Sequence, residues 1–464
     1  MKIKNPAMNL PCVASSWVLN PSHIITFRYK TLHCLNFRTL VYYTCYMENG
    51  EKSAPVAVQG GKRLPPLKKA SSFVFFLLGC LMRPTLYLLY RFRFDRKTSK
   101  NIRRPCLILA NHQTGFDQFA VSNGFKFGIN YVATDSIFRH GFLSWLMIAL
   151  VRPIPFSKGS SDLTALKSMM AVIKSGGSVG MFPSGNRSFY GDECKTVPGI
   201  GRLAKKFNVP LVLVRMHGGF NTKARWHRKS SPGKMTAFVS RVIDRQELEA
   251  MSAGDVDSAI QKELMFNEFE WNKTAQVKYS GRHKAEYLES VLFYCPECKS
   301  INGKKGLRSE GNEFFCRDCG ARVRINSTGF FEKIGNAGNI PDTILGWSRL
   351  QLDFVKAFDF SLFADNPVFS DPDIVLLRVG KTKEVPLGKG CLEFFADRFT
   401  VCGQDFRLTE ITMAVQGVRK LTVYRKDEVY TLSASYRTNL MKYMICGYHI
   451  KNRILGIQEE YYGY

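Results

Sequence analysis

The amino-acid sequence predicts an α/β fold with a largely parallel sheet flanked by helices, plus a zinc ribbon and a β-rich C-terminal module. Three observations carry this prediction. Short apolar runs alternate with helix-like segments in the first half, two Cys-x-x-Cys turns lie near residues 295 and 316, and strand-like runs recur after residue 340. The 464 residues, 45% of them hydrophobic and 13% aromatic, suffice for two or three packed domains and exclude a disordered chain.

Residues 1–70 are predicted to be an N-terminal extension or linker. They show no clean apolar periodicity and no small-residue cleavage site after a hydrophobic stretch. Met47 opens the polar segment Met-Glu-Asn-Gly-Glu-Lys-Ser, so one interpretation is that the natural start is Met47. The Gly, Pro and Lys content of residues 48–70 predicts a flexible linker.

Residues 71–104 are predicted to be a membrane-interface segment. The apolar run 73–82 is interrupted by Arg83 and Pro84 before residues 85–90 continue it, and a spanning helix needs about 20 apolar residues. We therefore expect two short helices that lie in the interface or form a shallow re-entrant pair, with tyrosines at headgroup depth. A single tilted anchor is the alternative.

The chain is strongly basic, which predicts an anionic partner. Its 66 Lys and Arg residues against 38 Asp and Glu give a formal net charge of +28. Cations cluster directly after the apolar run, between residues 91 and 104, where each contributes ~1 kcal/mol to binding anionic headgroups. We therefore expect association with membrane phospholipids, at the cytoplasmic face, and rank nucleic acid well below a membrane as the partner.

An imidazole and a carboxylate are placed together at the end of a predicted strand. The apolar run 106–110 is followed at residues 111–117 by Asn-His-Gln-Thr-Gly-Phe-Asp, which contains a His-x4-Asp pair. His112 can accept a hydroxyl proton near neutral pH, while Asp117 can fix its tautomer and stabilise the imidazolium. Such a base contributes ~10²–10⁴ in rate. The competing interpretation is a helix N-terminus with Asp117 as a solvated first-turn residue.

Two further segments lie where strands should end or begin. Residues 181–188 read Met-Phe-Pro-Ser-Gly-Asn-Arg-Ser, and residues 208–214 read Asn-Val-Pro-Leu-Val-Leu-Val. Together with Asn111, His112 and Asp117 they resemble the glycerolipid acyltransferase family, whose best-known members are the 1-acyl-sn-glycerol-3-phosphate acyltransferases. The resemblance implies transfer of a fatty acyl group from a thioester to a glycerol hydroxyl, with the His-x4-Asp pair catalytic.

In that family a Phe-Pro-Glu-Gly-x-Arg-Ser block binds the phosphate of the acceptor. The corresponding substrate-binding candidates here are Ser184, Gly185, Asn186 and Arg187. Arg187 offers a planar, two-pronged set of donors for a phosphate, and Gly185 lets the backbone approach the ligand closely. Ser184 replaces the family's glutamate, which removes a charge and two strong acceptor positions and leaves the identity of the acceptor open.

A second basic cluster lies between the two blocks. The segment from Arg152 to Lys158 reads Arg-Pro-Ile-Pro-Phe-Ser-Lys and continues with Gly, so its prolines and glycine predict a loop. Its position resembles the family's second block, which makes both cations further phosphate candidates. The alternative for each is a solvated surface charge, and for Lys158 the two interpretations are balanced.

The chain between and after these blocks predicts the elements of an acyltransferase domain over residues 105–285. One helix is expected from Ser161 as N-cap to the pair Gly176-Gly177. Its apolar face is predicted to comprise Leu163, Leu166, Met170 and Ile173. Strands at residues 178–182 and 210–216 with a helix at 200–207 predict a parallel sheet, with His112 and Arg187 at the carboxyl ends of its strands.

Four cysteines form a second strong signal. Cys295 and Cys298 make one Cys-x-x-Cys turn and Cys316 and Cys319 another, far enough apart for a hairpin between them. Over residues 290–325 this looks like a four-thiolate zinc ribbon, favoured over disulfides and over an iron–sulfur site. Four ligands leave no open position, so the zinc is expected to be structural. The odd total of 13 cysteines favours a reducing compartment.

Residues 340–464 are predicted to form the β-rich module. A helix is expected at residues 439–455, after strands at residues 374–378, 391–395, 399–402, 420–424 and 428–432. Strands that end in one helix resemble pleckstrin-homology-like domains. Lipid or protein binding would follow from that resemblance, and simple stabilisation is the alternative.

The sequence thus predicts a membrane-associated acyltransferase of phospholipid biosynthesis. The expected acceptor is a lysophosphatidic acid-type glycerolipid. The expected donor is an acyl thioester, either acyl-CoA or an acyl-carrier protein. The alternatives are an acyltransferase for another lysophospholipid and a non-catalytic scaffold that binds lipid or nucleic acid.

Overall fold

The structure is a computed structural model. It describes residues 69–134, 151–156, 163–192, 196–197, 199–301, 306–380, 384–426 and 428–457. The predictions for residues 1–68, Lys158 and Ser161 lie outside the described residues.

The N-terminal half is built on a seven-stranded sheet. Its strands are β1 (Arg93–Phe94), β2 (Leu107–Ala110), β3 (Ile129–Thr134), β4 (Ile154–Phe156), β5 (Ser178–Met181), β6 (Leu211–His217) and β7 (Thr236–Ile243). They are ordered β1-β7-β6-β2-β5-β3-β4, and every pair of neighbours is parallel except β6 and β7. The predicted α/β fold with a largely parallel sheet is therefore confirmed.

Helices cover both faces of this sheet. They are α1 (Ser72–Tyr90), α2 (Asp117–Ser122), α3 (Leu163–Lys174), α4 (Ile200–Phe207), α5 (Gly219–Thr222), α6 (Arg245–Ala250), α7 (Ala253–Leu264) and α8 (Glu268–Ala275). Strand β2 lies at the centre, where Leu107 and Leu109 belong to one apolar core and Ile108 and Ala110 to the other. A strand buried on both faces has no polar side to alternate with, which explains the continuous apolar runs in the sequence.

Helix α1 corrects the prediction of two short helices. It continues through Pro84 for 19 residues and ends at Arg91, whose φ is 49°. Proline removes one backbone donor, but the next residue, Thr85, adds a hydrogen bond from its hydroxyl to the carbonyl of Leu81 at 2.8 Å. The end of the helix also packs on the domain, where the ring of Tyr90 stacks on that of Phe116 at 4.3 Å. Helix α1 is long and apolar enough to cross a membrane, and most of its surface is exposed.

Helix α3 lies where the sequence predicts it but turns a different face to the core. Leu163 is 64% exposed, whereas Ala165, Met169 and Val172 are buried against the sheet. Leu166 and Met170 are only partly buried and flank this stripe. Ile173 is buried as predicted, so the predicted face is correct at its C-terminal end and wrong at Leu163, which points outward.

The next unit is a four-stranded antiparallel sheet in the order β11-β10-β9-β8. Its strands are β8 (Leu307–Glu310), β9 (Glu313–Cys316), β10 (Arg322–Ile325) and β11 (Phe331–Ile334), followed by helix α9 (Ile344–Ala357). Phe314 is fully buried, and its ring lies 5.1 Å from that of Trp347 on α9. Phe315 is half-buried beneath the guanidinium of Arg322, because consecutive residues of a strand face opposite sides.

Among the described residues the C-terminal module has seven antiparallel strands, followed by a helix, so the predicted β-rich module is confirmed. The strands are β12 (Phe369–Val379), β13 (Glu384–Phe394), β14 (Arg398–Val401), β15 (Gln404–Arg407), β16 (Ile411–Gln416), β17 (Lys420–Arg425) and β18 (Glu428–Ser433). Their order is β15-β14-β13-β12-β18-β17-β16. Helix α10 (Met441–Ile454) is buried on all sides from Met441 to Ile450. The pleckstrin-homology-like assignment and the domain limits stay predictions.

Candidate active site

Three loops meet at the carboxyl edge of the central strands, after β2, β5 and β6. The loop after β2 is fixed to β6 by Asn111, which is buried. Its side-chain Nδ2 donates to the carbonyl of Met216 at 2.9 Å, and its Oδ1 accepts from the backbone N–H of Met216 at 2.7 Å. This pair of bonds sets the position of the residue that follows Asn111, which is His112.

His112 and Asp117 form the hydrogen-bonded pair that the sequence predicts. Nδ1 of His112 lies 2.8 Å from Oδ2 of Asp117, whose carboxylate is fully buried at the start of α2. The same Oδ2 accepts from the backbone N–H groups of Gln113 at 2.6 Å and Thr114 at 2.8 Å, and the Thr114 hydroxyl donates to Oδ1. Asp117 is therefore not a solvated first-turn residue, and the competing interpretation of this motif was wrong.

The other ring nitrogen of His112 remains for chemistry. Because Nδ1 faces Asp117, a proton on Nδ1 leaves Nε2 as the basic atom. The ring stacks on Phe182 with centroids 4.2 Å apart, which fixes its plane, and the side chain retains 19% exposure. The imidazole is thus held on two sides and still accessible.

The surroundings of His112 favour its neutral form. Burial lowers the pKa of the imidazole, and the hydrogen bond and negative charge of Asp117 oppose this effect. The positive charges of Arg187 and Arg225 lower the pKa further. A neutral imidazole at pH 7 can accept a proton, as a general base must.

The loop of residues 182–188, here called the acceptor loop, lies directly beside His112. The backbone N–H of Ser188 donates to the carbonyl of His112 at 2.9 Å. Within the loop the hydroxyl of Ser184, which is buried, donates to the carbonyl of Asn186 at 3.0 Å. Gly185 has a φ of +66°, a conformation that a side chain would strain, and its N–H donates to the carbonyl of Phe182. The structure thus brings Ser184, Gly185, Asn186 and Arg187 to the edge that carries His112.

Arg152 is not brought to this edge, so its prediction as a phosphate ligand is corrected. It precedes β4, and its carbonyl accepts from Nδ2 of Asn130. Asn130 and Leu107 both pair with Val179, so Arg152 lies near the start of β2 and not near its carboxyl end. Its guanidinium donates to the backbone carbonyl of Lys69 at 2.9 Å. Sequence spacing could not reveal this position because it depends on the register of β4 in the sheet.

Sequence reasoning missed a second cation, Arg225, in the loop between β6 and β7. Its Nη1 donates to the carbonyl of Arg187 at 3.2 Å, and its guanidinium lies over the ring of Phe189 at 3.8 Å. No motif marks this arginine in the sequence. Only the folded arrangement of two loops brings it beside the acceptor loop.

The four predicted cysteine ligands form one cluster. The sulfurs of Cys295, Cys298, Cys316 and Cys319 all lie within 4.8 Å of one another. The Sγ atoms of Cys295 and Cys319, and those of Cys298 and Cys316, are 3.8 Å apart. A tetrahedral ion with bonds of about 2.3 Å to sulfur requires edges of about 3.8 Å, so this cluster can hold a metal ion.

Known proteins resemble the chain most clearly across the first of these sites. The family model "Acyltransferase" matches residues 91–217. A 1-acyl-sn-glycerol-3-phosphate acyltransferase of Pseudomonas aeruginosa is 27% identical over 200 residues, which cover 37% of this chain and 76% of that protein. The chloroplastic enzyme of the same name, BAT2 of Brassica napus, is 30% identical over 118 residues, but the chain spans only 33% of its length.

Among solved structures, the 1-acyl-sn-glycerophosphate (LPA) acyltransferase PlsC of Thermotoga maritima is 19% identical, with a TM-score of 0.36 over 44% of this chain and 80% of that one. The family match spans β1 to β6 and includes both His112 and the acceptor loop. The chain therefore carries a domain of the acyltransferase family across residues 91–217.

Proposed function

We propose that the protein transfers a fatty acyl group from a thioester to the hydroxyl of a lysophosphatidic acid-type glycerolipid. The observation that carries this proposal is the pair of His112 and Asp117, joined at 2.8 Å on the same sheet edge as the acceptor loop. The two curated relatives are named for this activity, which supports the choice of acceptor class.

The proposed mechanism needs no covalent enzyme intermediate because a thioester is already activated. Nε2 of His112 takes the proton of the acceptor hydroxyl, and the oxygen attacks the thioester carbonyl. The carbon–sulfur bond then breaks, and the departing thiolate takes the proton from the imidazolium. Asp117 holds the ring and stabilises its cationic form during the reaction, and Arg187 holds the acceptor phosphate.

We propose that the four cysteines bind a structural zinc ion and that the donor is acyl-CoA or acyl-carrier protein. The zinc would fix the turns on either side of β8 and β9 without taking part in acyl transfer. We also propose membrane association through α1, at the cytoplasmic face, because the acceptor is a membrane lipid.

A second acceptor class is kept because of one observation. Ser184 is neutral where the family block has a glutamate, and its hydroxyl is already bonded within the loop. The loop therefore lacks the charge and the two acceptor positions that the family's glutamate supplies to the acceptor. Another lysophospholipid is therefore the alternative acceptor.

Product analysis with acyl-CoA and a set of lysolipids tests the proposal. The full chain is expected to acylate lysophosphatidic acid, and His112→Ala is expected to lose at least ~10²-fold in turnover while its melting temperature is kept. The matched control is His283→Ala, since that imidazole is exposed and pairs only with Glu286 at 3.1 Å among the described groups. Wild-type turnover in His112→Ala would remove the proposed base, and acylation of another lysolipid alone would favour the second acceptor.

A further inference from the structure

Arg225 joins three parts of the molecule at one guanidinium. Nη1 donates to the carbonyl of Arg187 in the acceptor loop at 3.2 Å. Nη2 donates to the carbonyl of Val415 on β16 at 3.3 Å and approaches that of Gly417, in the following turn, at 3.5 Å. The flat face lies over the ring of Phe189 at 3.8 Å. One half-buried side chain therefore links the acceptor loop to the C-terminal module.

These contacts use the geometry that only arginine has. A guanidinium donates in two directions in its plane and stacks through its face, whereas an ammonium is a point charge without such a plane. Both donor directions of Arg225 end on backbone carbonyls of different modules. The bond to the carbonyl of Arg187 constrains the backbone that carries the Arg187 side chain.

Arg225 also acts on the catalytic base through its charge. The charged groups that influence His112 include Asp117 from its own loop, Arg187 from the acceptor loop and Arg225 from the loop after β6. The two arginines lower the pKa of His112, and Asp117 opposes them. The neighbouring Tyr131, whose ring stacks on Phe182, stays neutral because burial raises its pKa.

We propose that Arg225 is a positioning residue for acyl transfer, which orients Arg187 toward the acceptor's anionic head and makes the C-terminal module part of the support of the active site. This inference rests on the proposed function. It assigns to the C-terminal module a role in the reaction that neither the acyltransferase match nor the strand pattern of the module gives.

The simpler interpretation is that Arg225 only holds two modules together, and the chain offers a matched control for it. Arg228 lies three residues further on in the same loop, and its guanidinium lies 4.9 Å from the ring centre of Tyr436 in the C-terminal module. Arg228 therefore has the same residue type and a similar interface contact. It is exposed, whereas Arg225 is half-buried and bonded to the acceptor loop.

The test compares Arg225→Met, Arg225→Lys and Arg228→Met in the full chain, with lysophosphatidic acid and acyl-CoA as substrates. Arg225→Met is expected to raise the KM for the acceptor about tenfold and to change kcat less, because Arg187 loses its support. It should also move the acid limb of kcat/KM to higher pH, because the loss of a cation raises the pKa of His112. Arg225→Lys keeps the positive charge, so the acid limb of its kcat/KM profile should stay at the wild-type pH. The KM for the acceptor should still rise. Arg228→Met should leave KM and the limb unchanged.

The outcomes separate this inference from the proposed function. Wild-type KM and pH profile in both Arg225 variants, with His112→Ala inactive, would overturn the role of Arg225 alone. An equal rise of KM in Arg228→Met would reduce Arg225 to an interface contact. A fully active His112→Ala would instead overturn the proposed function. If Arg225→Met does not fold, Arg225→Lys still tests the rise in KM, and NMR titration of labelled histidine tests whether the pKa of His112 stays in place.

Discussion

Asp117 receives more hydrogen bonds than any other group described around the base. His112, two backbone N–H groups and the Thr114 hydroxyl all reach its two oxygens. Such a carboxylate is fixed in position before any substrate binds. Its negative charge also raises the pKa of His112, so it has both an orienting and an electrostatic effect.

Replacement of Asp117 by Asn should therefore have two effects that can be measured separately. The amide cannot accept from all four donors, so we expect the wrong imidazole tautomer and a fall in kcat of up to ~10⁴-fold, as for the corresponding change in Ser-His-Asp enzymes. The loss of the carboxylate also lowers the pKa of His112, since Asp117 raises it. The acid limb of kcat/KM should therefore move to lower pH than in the wild type.

The direction of this shift is opposite to the one expected for Arg225→Met. Asp95→Asn is a suitable control, because that carboxylate is exposed and, among the described groups, accepts from the backbone N–H of Lys97. Unchanged kcat together with an unmoved acid limb in Asp117→Asn would contradict the paired role of the two residues.

The four-stranded sheet with the cysteine cluster is the element whose stability should depend most on a bound ion. Its four sulfurs come from two turns, and a structural zinc contributes ~10–16 kcal/mol to the folding of isolated peptides of this kind. We expect about one zinc per chain by metal analysis, and a lower melting temperature after treatment with a strong chelator. Cys298→Ser should lower both the zinc content and the melting temperature.

Cys80→Ser is the matched control for this prediction. Cys80 and Cys298 are both exposed, but only Cys298 belongs to the cluster. One zinc per chain and an unchanged melting temperature in Cys298→Ser would show that the cluster is not a zinc site.

Local sequence patterns predicted several elements closely and failed where packing decided. Helix α4 has the predicted limits of residues 200 and 207, and β5, β6 and α10 lie within one or two residues of their predictions. The break expected at Pro84 does not occur, because the helix packs on its neighbours on both sides of that residue. Helix α9 was not predicted, since its buried residues include Ser348 and Gln351, which read as a polar surface in the sequence. The side chain of Gln351 can be buried because its Oε1 accepts a hydrogen bond from the backbone N–H of Phe293.

In the candidate site, too, local motifs could be predicted and positions set by packing could not. His112, Asp117 and the acceptor loop could be found because each lies in a compact motif directly after a strand. Arg225 could not, because its partners lie 38 and 190 residues away in the sequence. Arg152 was misplaced because motif spacing carries no information about the register of β4.

The acyltransferase half, the ribbon and the C-terminal module share one continuous apolar core. This core includes Phe220, Phe314, Trp347 and Phe399 from the successive units. Buried polar contacts cross the same boundaries: Tyr190 donates to the carbonyl of Val291 at 3.1 Å, and Asn439 donates to that of Glu289 at 2.8 Å. The units therefore support one another, and tests of function should use the full chain.

Helix α1 and the basic segment after it should bind anionic membranes through two separable contributions. Phe76 and Leu88 are 60% and 76% exposed on α1, and the exposed cations Lys97 and Lys100 follow it. In sedimentation with vesicles, Phe76→Ser with Leu88→Ser should weaken binding to phosphatidylcholine with or without phosphatidylglycerol, because apolar insertion does not depend on charge. Lys97→Glu with Lys100→Glu should weaken only binding to the anionic vesicles, by about tenfold or more at low salt, because each lost cation is worth ~1 kcal/mol.

Leu362→Ser is the control, since Leu362 is also 76% exposed but follows α9. The membrane contact would lie elsewhere on the chain if Leu362→Ser weakened vesicle binding equally, or if none of the four substitutions on and after α1 changed it.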